Sequence, residues 1–188
     1  NEILRSSHVK RAKDTKELVP YIVDTMELIN TKLENGSYML IEGTQGYELS
    51  NKSEFFPYVT SVNINSVQLL ADSEIMPTND LTVDIIGVFR SYPIRVGGNS
   101  GFVDSDSTEL SWEELTDIVG ADKDIREKTS VTNIDRRIFT FSWENLKTFC
   151  KANNPSEIAL TFADYLSWQC CDKPSINNSS SSEKYLTD

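Results

Sequence analysis

The stretch YMLIEGTQGYEL, residues 38–49, sets a short apolar run directly before Gly43-Thr44-Gln45-Gly46 and then returns to apolar residues. An apolar run closed by glycines predicts a buried strand that ends in a tight turn. Glycine reaches backbone angles that a Cβ forbids, so Gly-x-x-Gly can simply reverse the chain. The same glycines can also let backbone approach a ligand closely, with Gln45 offering two donors and an acceptor to a base edge or a phosphate. The four residues alone favour the plain turn, and the surrounding chain must decide.

Upstream, Asp14 with Glu17 forms a capping-box pattern, and Leu18, Ile22, Met26, Ile29 and Leu33 follow at helical spacing until Asn35-Gly36. This predicts one amphipathic helix of about five turns, with Pro20 near its start able to kink or restart it. Helix, strand and glycine turn then make one α/β unit. Downstream, LTVDIIGVFRSYPIRVGG (81–98) is rich in β-branched and aromatic residues and also ends in glycines, predicting a second buried strand. Ser111 with Glu114 opens a short helix, SWEELTDIVG, closed by Gly120. Ser142 opens SWENLKTFCKANN, whose Trp143, Leu146, Phe149 and Cys150 share one face, and EIALTFADYL (157–166) reads as a third strand. Strands followed by glycine turns place Gln45, the Gly97-Gly98 turn and Asp164 at one crevice of an open α/β sheet.

The chain has 188 residues, 38% hydrophobic and 10% aromatic, enough for one sizeable core. Its formal charge of -11 argues against a broad basic surface for polymeric nucleic acid, which would neutralise phosphates with Lys and Arg. A single nucleotide needs only a local basic pocket. No apolar run approaches membrane-spanning length and no signal-peptide pattern precedes it, so the expectation is a cytoplasmic protein with no membrane partner. Cys150, Cys170 and Cys171 match no metal or redox spacing and read as reduced thiols. His8 is the only histidine, leaving almost no material for a histidine dyad or a zinc site. The opening Asn1 suggests a piece of something longer, and the serine-rich stretch 172–188 reads as a polar tail or loop beyond a domain spanning 1–171.

Taken in order, LIEGTQGYEL, FFPYVTSVN, FRSYPIRVGG, TSVTNIDRRIFTF and IALTFADYL resemble adenylosuccinate synthetases, closest to the short archaeal and phage-type members. The resemblance covers about 10–166 and implies the central and C-terminal part of an α/β enzyme, a fragment of a P-loop-NTPase-like open sheet with flanking helices. That family joins aspartate to the 6-position of a purine monophosphate, driven by a nucleoside triphosphate. It implies IMP as substrate, GTP or ATP as co-substrate, Mg2+ held by residues upstream, and a homodimer.

Residue by residue, the resemblance gives Gln45 and Thr60 to the purine monophosphate, with Val96 and Gly97 touching its ribose. It gives Thr132, Arg136 and Arg137 to the carboxylates of aspartate and to the triphosphate, work that suits a guanidinium fork. Asp164 would recognise the triphosphate's base, with Phe162 beside it where many members have lysine. Ile134 and Asp135 stand where the family's loop often carries cations, and GNSGFVDSDSTEL replaces its proline-bearing segment. No catalytic residue is expected here: the family's phosphate loop with its acid and its catalytic histidine fall upstream, so this segment alone is expected to be inactive. Two alternatives stand beside the IMP reading. One is the related phage-type ligase joining aspartate to dGMP, and the other is a catalytically inactive nucleotide-binding relative.

Overall fold

The structure, a computed structural model, describes residues 10–171. His8 and the serine-rich stretch 172–188 lie outside the described residues. The described residues divide into two compact units, one comprising those up to Gly43 together with Val67–Asn79, the other comprising Thr44–Ser66 and those from Asp80 onward.

In the first unit the expected five-turn helix is shorter and begins later. Two 3-10 turns, Ala12–Asp14 and Val19–Tyr21, precede helix α1, Thr25–Glu34. Pro20 sits inside the second turn, where a missing N–H and a fixed φ are tolerated but a continuous α-helix is not. The helix starts where Asp24 caps it, its carboxylate accepting the Glu27 amide at 3.0 Å, and not at Asp14. The expected strand 37–42 forms no ladder: Tyr38 and Leu40 are exposed, 105% and 88%. Extended backbone becomes a strand only when a neighbour supplies donors and acceptors, and among the described residues none does. Helix α2, Ser66–Asp72, follows, and Leu69 packs so closely on Gly43 that an added Cβ there would lie 2.9 Å from its Cδ1.

Among the described residues the second unit holds five strands in two sheets. Strand β1 (Ile86–Arg90) pairs in parallel with β5 (Glu157–Thr161), in register Ile86↔Glu157 to Arg90↔Thr161. Strands β2 (Ile94–Arg95), β3 (Glu109–Leu110) and β4 (Arg137–Phe139) form an antiparallel sheet in the order β2-β4-β3. The run 81–98 is therefore two strands in two sheets, interrupted at Ser91-Tyr92-Pro93, and the parallel sheet is confined to one pair among the described residues.

Helix α3 (Trp112–Val119) carries the complete Ser111/Glu114 capping box and stops at Gly120, whose φ of 72° suits a residue without a Cβ. Helix α4 (Trp143–Asn153) is capped by Ser142, which accepts the Asn145 amide at 3.0 Å. The core joins Tyr92, Trp112, Leu115, Val119, Ile125, Ile138 and Tyr165, so α3 is the helix that seals the antiparallel sheet. Trp112 spends its polar edge well, donating from Nε1 to the Arg136 carbonyl at 2.7 Å. Cys150, Cys170 and Cys171 enter no disulfide.

Candidate nucleotide site

All nine candidate residues fall in the second unit. Gln45 stands exposed at a φ of 67°, in the left-handed region that side chains seldom adopt. A 3-10 turn, Tyr47–Leu49, follows at once. The Leu49 carbonyl then accepts two bonds from one residue, the Thr60 amide at 2.8 Å and the Thr60 hydroxyl at 2.9 Å. Asn51 extends the clasp by donating to the carbonyls of Val62 and Ser61. The Gln45 turn and Thr60 are thus fastened together, although the Thr60 hydroxyl is also doing the local backbone work expected of a threonine at a chain bend.

The R-V-G turn meets the arginine loop. A Cβ added to Gly97 would come 2.2 Å from the Asp135 carbonyl oxygen and 2.6 Å from Ile134 Cγ2, so only glycine permits this approach. Val96 beside it points outward, 55% exposed. The loop itself is closed by the Thr129 amide on the Ile134 carbonyl at 2.9 Å and by the Ile134 amide on Thr129 Oγ1 at 3.0 Å. Thr132 shares a 2.5 Å hydroxyl contact with Thr129 at its tip. Asp135, at a position expected to favour a cation, instead accepts from Arg126 at 3.0 Å.

The two arginines part company. Arg137 donates bidentately to Glu109, at 2.8 and 2.6 Å, and also to Ser100 Oγ at 3.1 Å and the Gly101 carbonyl at 2.9 Å. Those bonds hold Glu109 below the usual carboxylate range and raise the Arg137 pKa further. Arg136 engages through its backbone, its amide donating to the Glu127 carbonyl at 2.9 Å, while its guanidinium makes no hydrogen bond or ion pair among the described residues.

At the end of β5, Phe162 occupies φ 57° and turns the chain into a 3-10 turn that carries Asp164. The Arg90 guanidinium lies over the Phe162 ring at 3.4 Å, and Arg90 is fixed by Glu127, donating to both of its carboxylate oxygens. Tyr165 also donates to Glu127, at 3.1 Å, and burial first, with that carboxylate second, pushes its hydroxyl pKa up. The Asp164 carboxylate makes no hydrogen bond or ion pair among the described residues.

An unbroken series of contacts therefore runs through the unit. Phe162 touches Arg90, Arg90 binds Glu127, and the Glu127 carbonyl holds Arg136. The loop that carries Arg136 abuts Gly97, which follows Arg95 on β2. Arg95 faces Glu48 at 3.9 Å, three residues beyond Gln45. Sequence patterns missed the linking residues Glu48, Arg90 and Glu127, and gave Arg95 only as the first residue of the R-V-G turn. Only the charge of Arg90 and Arg95 inside the otherwise apolar run 81–98 hinted that they would need partners.

Comparison with known proteins identifies the family. The family model described as adenylosuccinate synthetase matches residues 4–171. This chain belongs to that family. Among curated adenylosuccinate synthetases, that of Methanococcus vannielii is 37% identical over 156 residues, covering 83% of this chain and 43% of the relative. That of Pyrococcus horikoshii is 37% identical over 155 residues, covering 82% and 42%. A solved cyanophage S-2L succinoaminodeoxyadenylate synthetase (PurZ), bound to dGMP and to dATP as an energy donor, superposes with a TM-score of 0.63 at 28% identity. The match covers 85% of this chain and 46% of that one. The chain spans less than half the length of these relatives. Among the described residues, no three His, Cys, Asp or Glu side chains converge on a metal site. No described helix is long and apolar enough to cross a membrane.

Proposed function

We propose that this chain is the nucleotide-positioning part of a C–N ligase that joins aspartate to the 6-position of a purine monophosphate, IMP in the leading reading, at the cost of GTP or ATP. The observation that carries this is the packing of Gly97 against the Asp135 carbonyl, which makes the R-V-G turn and the arginine loop one wall. In that reading Gln45 meets the purine nucleotide, and Val96-Gly97 lie against its ribose. Thr60 reaches the phosphate by turning its hydroxyl off Leu49, while its amide keeps that carbonyl satisfied. Arg136, with no intramolecular partner for its guanidinium among the described residues, takes a carboxylate of aspartate or a phosphate oxygen together with Thr132. Arg137 fixes the wall behind it. Asp164 accepts from N–H donors of the triphosphate's base, with Phe162 alongside. Magnesium and the acid–base groups come from residues outside this segment, the sheet extends into a P-loop-NTPase-like one, and the enzyme works as a cytoplasmic homodimer.

A second reading, favoured by the cyanophage neighbour bound to dGMP and dATP, takes dGMP as the acceptor of aspartate. The test is aspartate-dependent phosphate release by the full-length protein, with IMP or dGMP crossed against GTP, ATP and dATP. Turnover with IMP supports the leading reading, and a clear preference for dGMP replaces it with the second. If neither reacts while purine nucleotides still bind, the protein is a non-catalytic relative.

A further inference from the structure

We propose that Glu48 is a positioning residue for purine monophosphate binding: as a carboxylate it draws on Arg95 and thereby ties the Gln45 turn to the Val96-Gly97 turn. The inference rests on the reading that both turns meet one nucleotide. Three observations carry it. Glu48 lies in the 3-10 turn Tyr47–Leu49, between Gln45 and the Leu49 carbonyl that anchors Thr60. Arg95 is the last residue of β2 and the first of the R-V-G turn, and its side chain is only 10% exposed. Its guanidinium lies 4.2 Å from the Phe55 ring centroid, and neither terminal nitrogen reaches a hydrogen-bond acceptor, so the Glu48 carboxylate at 3.9 Å is its charge partner.

Arg95 needs that partner acutely. Across the ladder it stands opposite Arg137, a like charge that Glu109 already occupies. Burial depresses the Arg95 pKa first; Glu48 opposes that most strongly, Arg137 adds to the depression, and Asp104 opposes it least. Take the Glu48 charge away and Arg95 loses its one ion pair among the described residues; Asp104 is then the attraction that remains, and it lies outside the Gln45 turn.

The tie is sensitive to pH. Burial first, then Asp104, push the Glu48 pKa up to about 7, Arg95 pulling against them and Glu54 adding to the rise. The other charged groups around the same cavity, of about 840 Å³, are Lys52 beside Glu54 and, from α4, Glu144, Lys147 and Lys151. A raised carboxylate pKa means that the proton is held up to near neutrality and released above it. The ionised, Arg95-drawing form therefore grows as pH rises through about 7, and affinity for the purine monophosphate grows with it.

The test uses the full-length protein and its Michaelis constant for the purine monophosphate it turns over, measured from about pH 6 to pH 8. Glu48→Gln keeps the shape and removes the charge. It should raise that constant at least about fivefold at high pH, the low end of ordinary coupling between sites, and leave kcat and the constant for aspartate near wild type. It should also abolish the component of the pH profile centred near 7. Arg95→Lys, which retains a cation, should keep that component, and it serves if the first variant fails to fold. A Glu48→Gln profile parallel to wild type overturns the proposal while leaving the functional reading intact. A wild-type protein that binds no purine monophosphate overturns both.

Discussion

Replacing Gly97 with alanine would test whether the R-V-G turn and the arginine loop really share one wall. The new Cβ would stand 2.2 Å from the Asp135 carbonyl oxygen and 2.6 Å from Ile134 Cγ2. Relief to ordinary contact needs a displacement of roughly 1 Å. The oxygen belongs to main chain that is held on both sides, by the Thr129 amide on the Ile134 carbonyl and by the Arg136 amide on the Glu127 carbonyl, both at 2.9 Å, so it cannot swing aside as a long side chain would. Overpacking a well-fitted site costs about 1–3 kcal/mol, and two unyielding neighbours put this one in the upper part, about 2–3 kcal/mol. The φ of Gly97 is not positive, so left-handed strain adds nothing. Gly98 is the matched control. Its φ is 76° and an added Cβ meets nothing within 4 Å, so Gly98→Ala carries only a backbone penalty of about 1–2 kcal/mol. Urea unfolding followed by tryptophan fluorescence suits the measurement, because Trp112 donates directly to the Arg136 carbonyl. A Gly97→Ala protein within about 0.5 kcal/mol of wild type, with unchanged purine-nucleotide affinity, would refute the shared wall.

Gln45→Gly relieves a side chain from φ 67° and should leave stability unchanged or raise it by up to about 1 kcal/mol, while nucleotide affinity falls by roughly 1–3 kcal/mol. Isothermal titration decides, since equal affinity would reduce the motif to a turn. Arg137→Lys loses the fork on Glu109 and the bonds to Ser100 and Gly101, and should destabilise by about 1–3 kcal/mol. Arg136→Lys should unfold within about 0.5 kcal/mol of wild type yet raise the Michaelis constant for aspartate, and the opposite pattern would reverse the two roles. Glu109 is held below its ordinary range chiefly by Arg137, so its contribution is present above the unfolded carboxylate pKa and is lost as pH falls through the folded one. The stability gap between wild type and Glu109→Gln should therefore close on acidification from about pH 6 to pH 3, and a constant gap would rule this out.

What the sequence disclosed follows the range of the forces involved. Helices α3 and α4 were legible to the residue because Ser111, Glu114, Gly120 and Ser142 act within one turn of themselves. Strands β1 and β5 were legible as apolar runs, but β1 is not the buried strand expected, Ile86 and Val88 being exposed, and β5 stops at Thr161, where Phe162 turns the chain, and does not run on to Leu166. The split at Ser91-Tyr92-Pro93 was not legible, since which sheet a segment joins is settled by distant partners. Residues 37–42 carry a strand's composition and lack a strand's ladder, which composition cannot supply. At the site, glycine and arginine motifs could be read in place. The choice that gives Arg90 to Glu127, 37 positions away, and Arg137 to Glu109, 28 positions away, leaves no local trace. That choice is what distinguishes Arg136 from its neighbour.

The parallel pairing of β1 with β5 also bears on how the chain assembles. Ile85 and Ser156, which bond at the start of that pair, lie 71 positions apart, whereas Glu109 and Arg137 close over 28. Loop-closure entropy grows slowly with length, about 0.6 kcal/mol per doubling, but it must be spent before the parallel ladder returns anything. Once β3, α3 and β4 have collapsed into a compact insert, much of the chain between β1 and β5 is no longer loose. On that order of events the inserted antiparallel sheet shortens the search for its host, and in stopped-flow refolding, substitutions in α3 should slow folding more than substitutions confined to β5; the reverse would rule that order out.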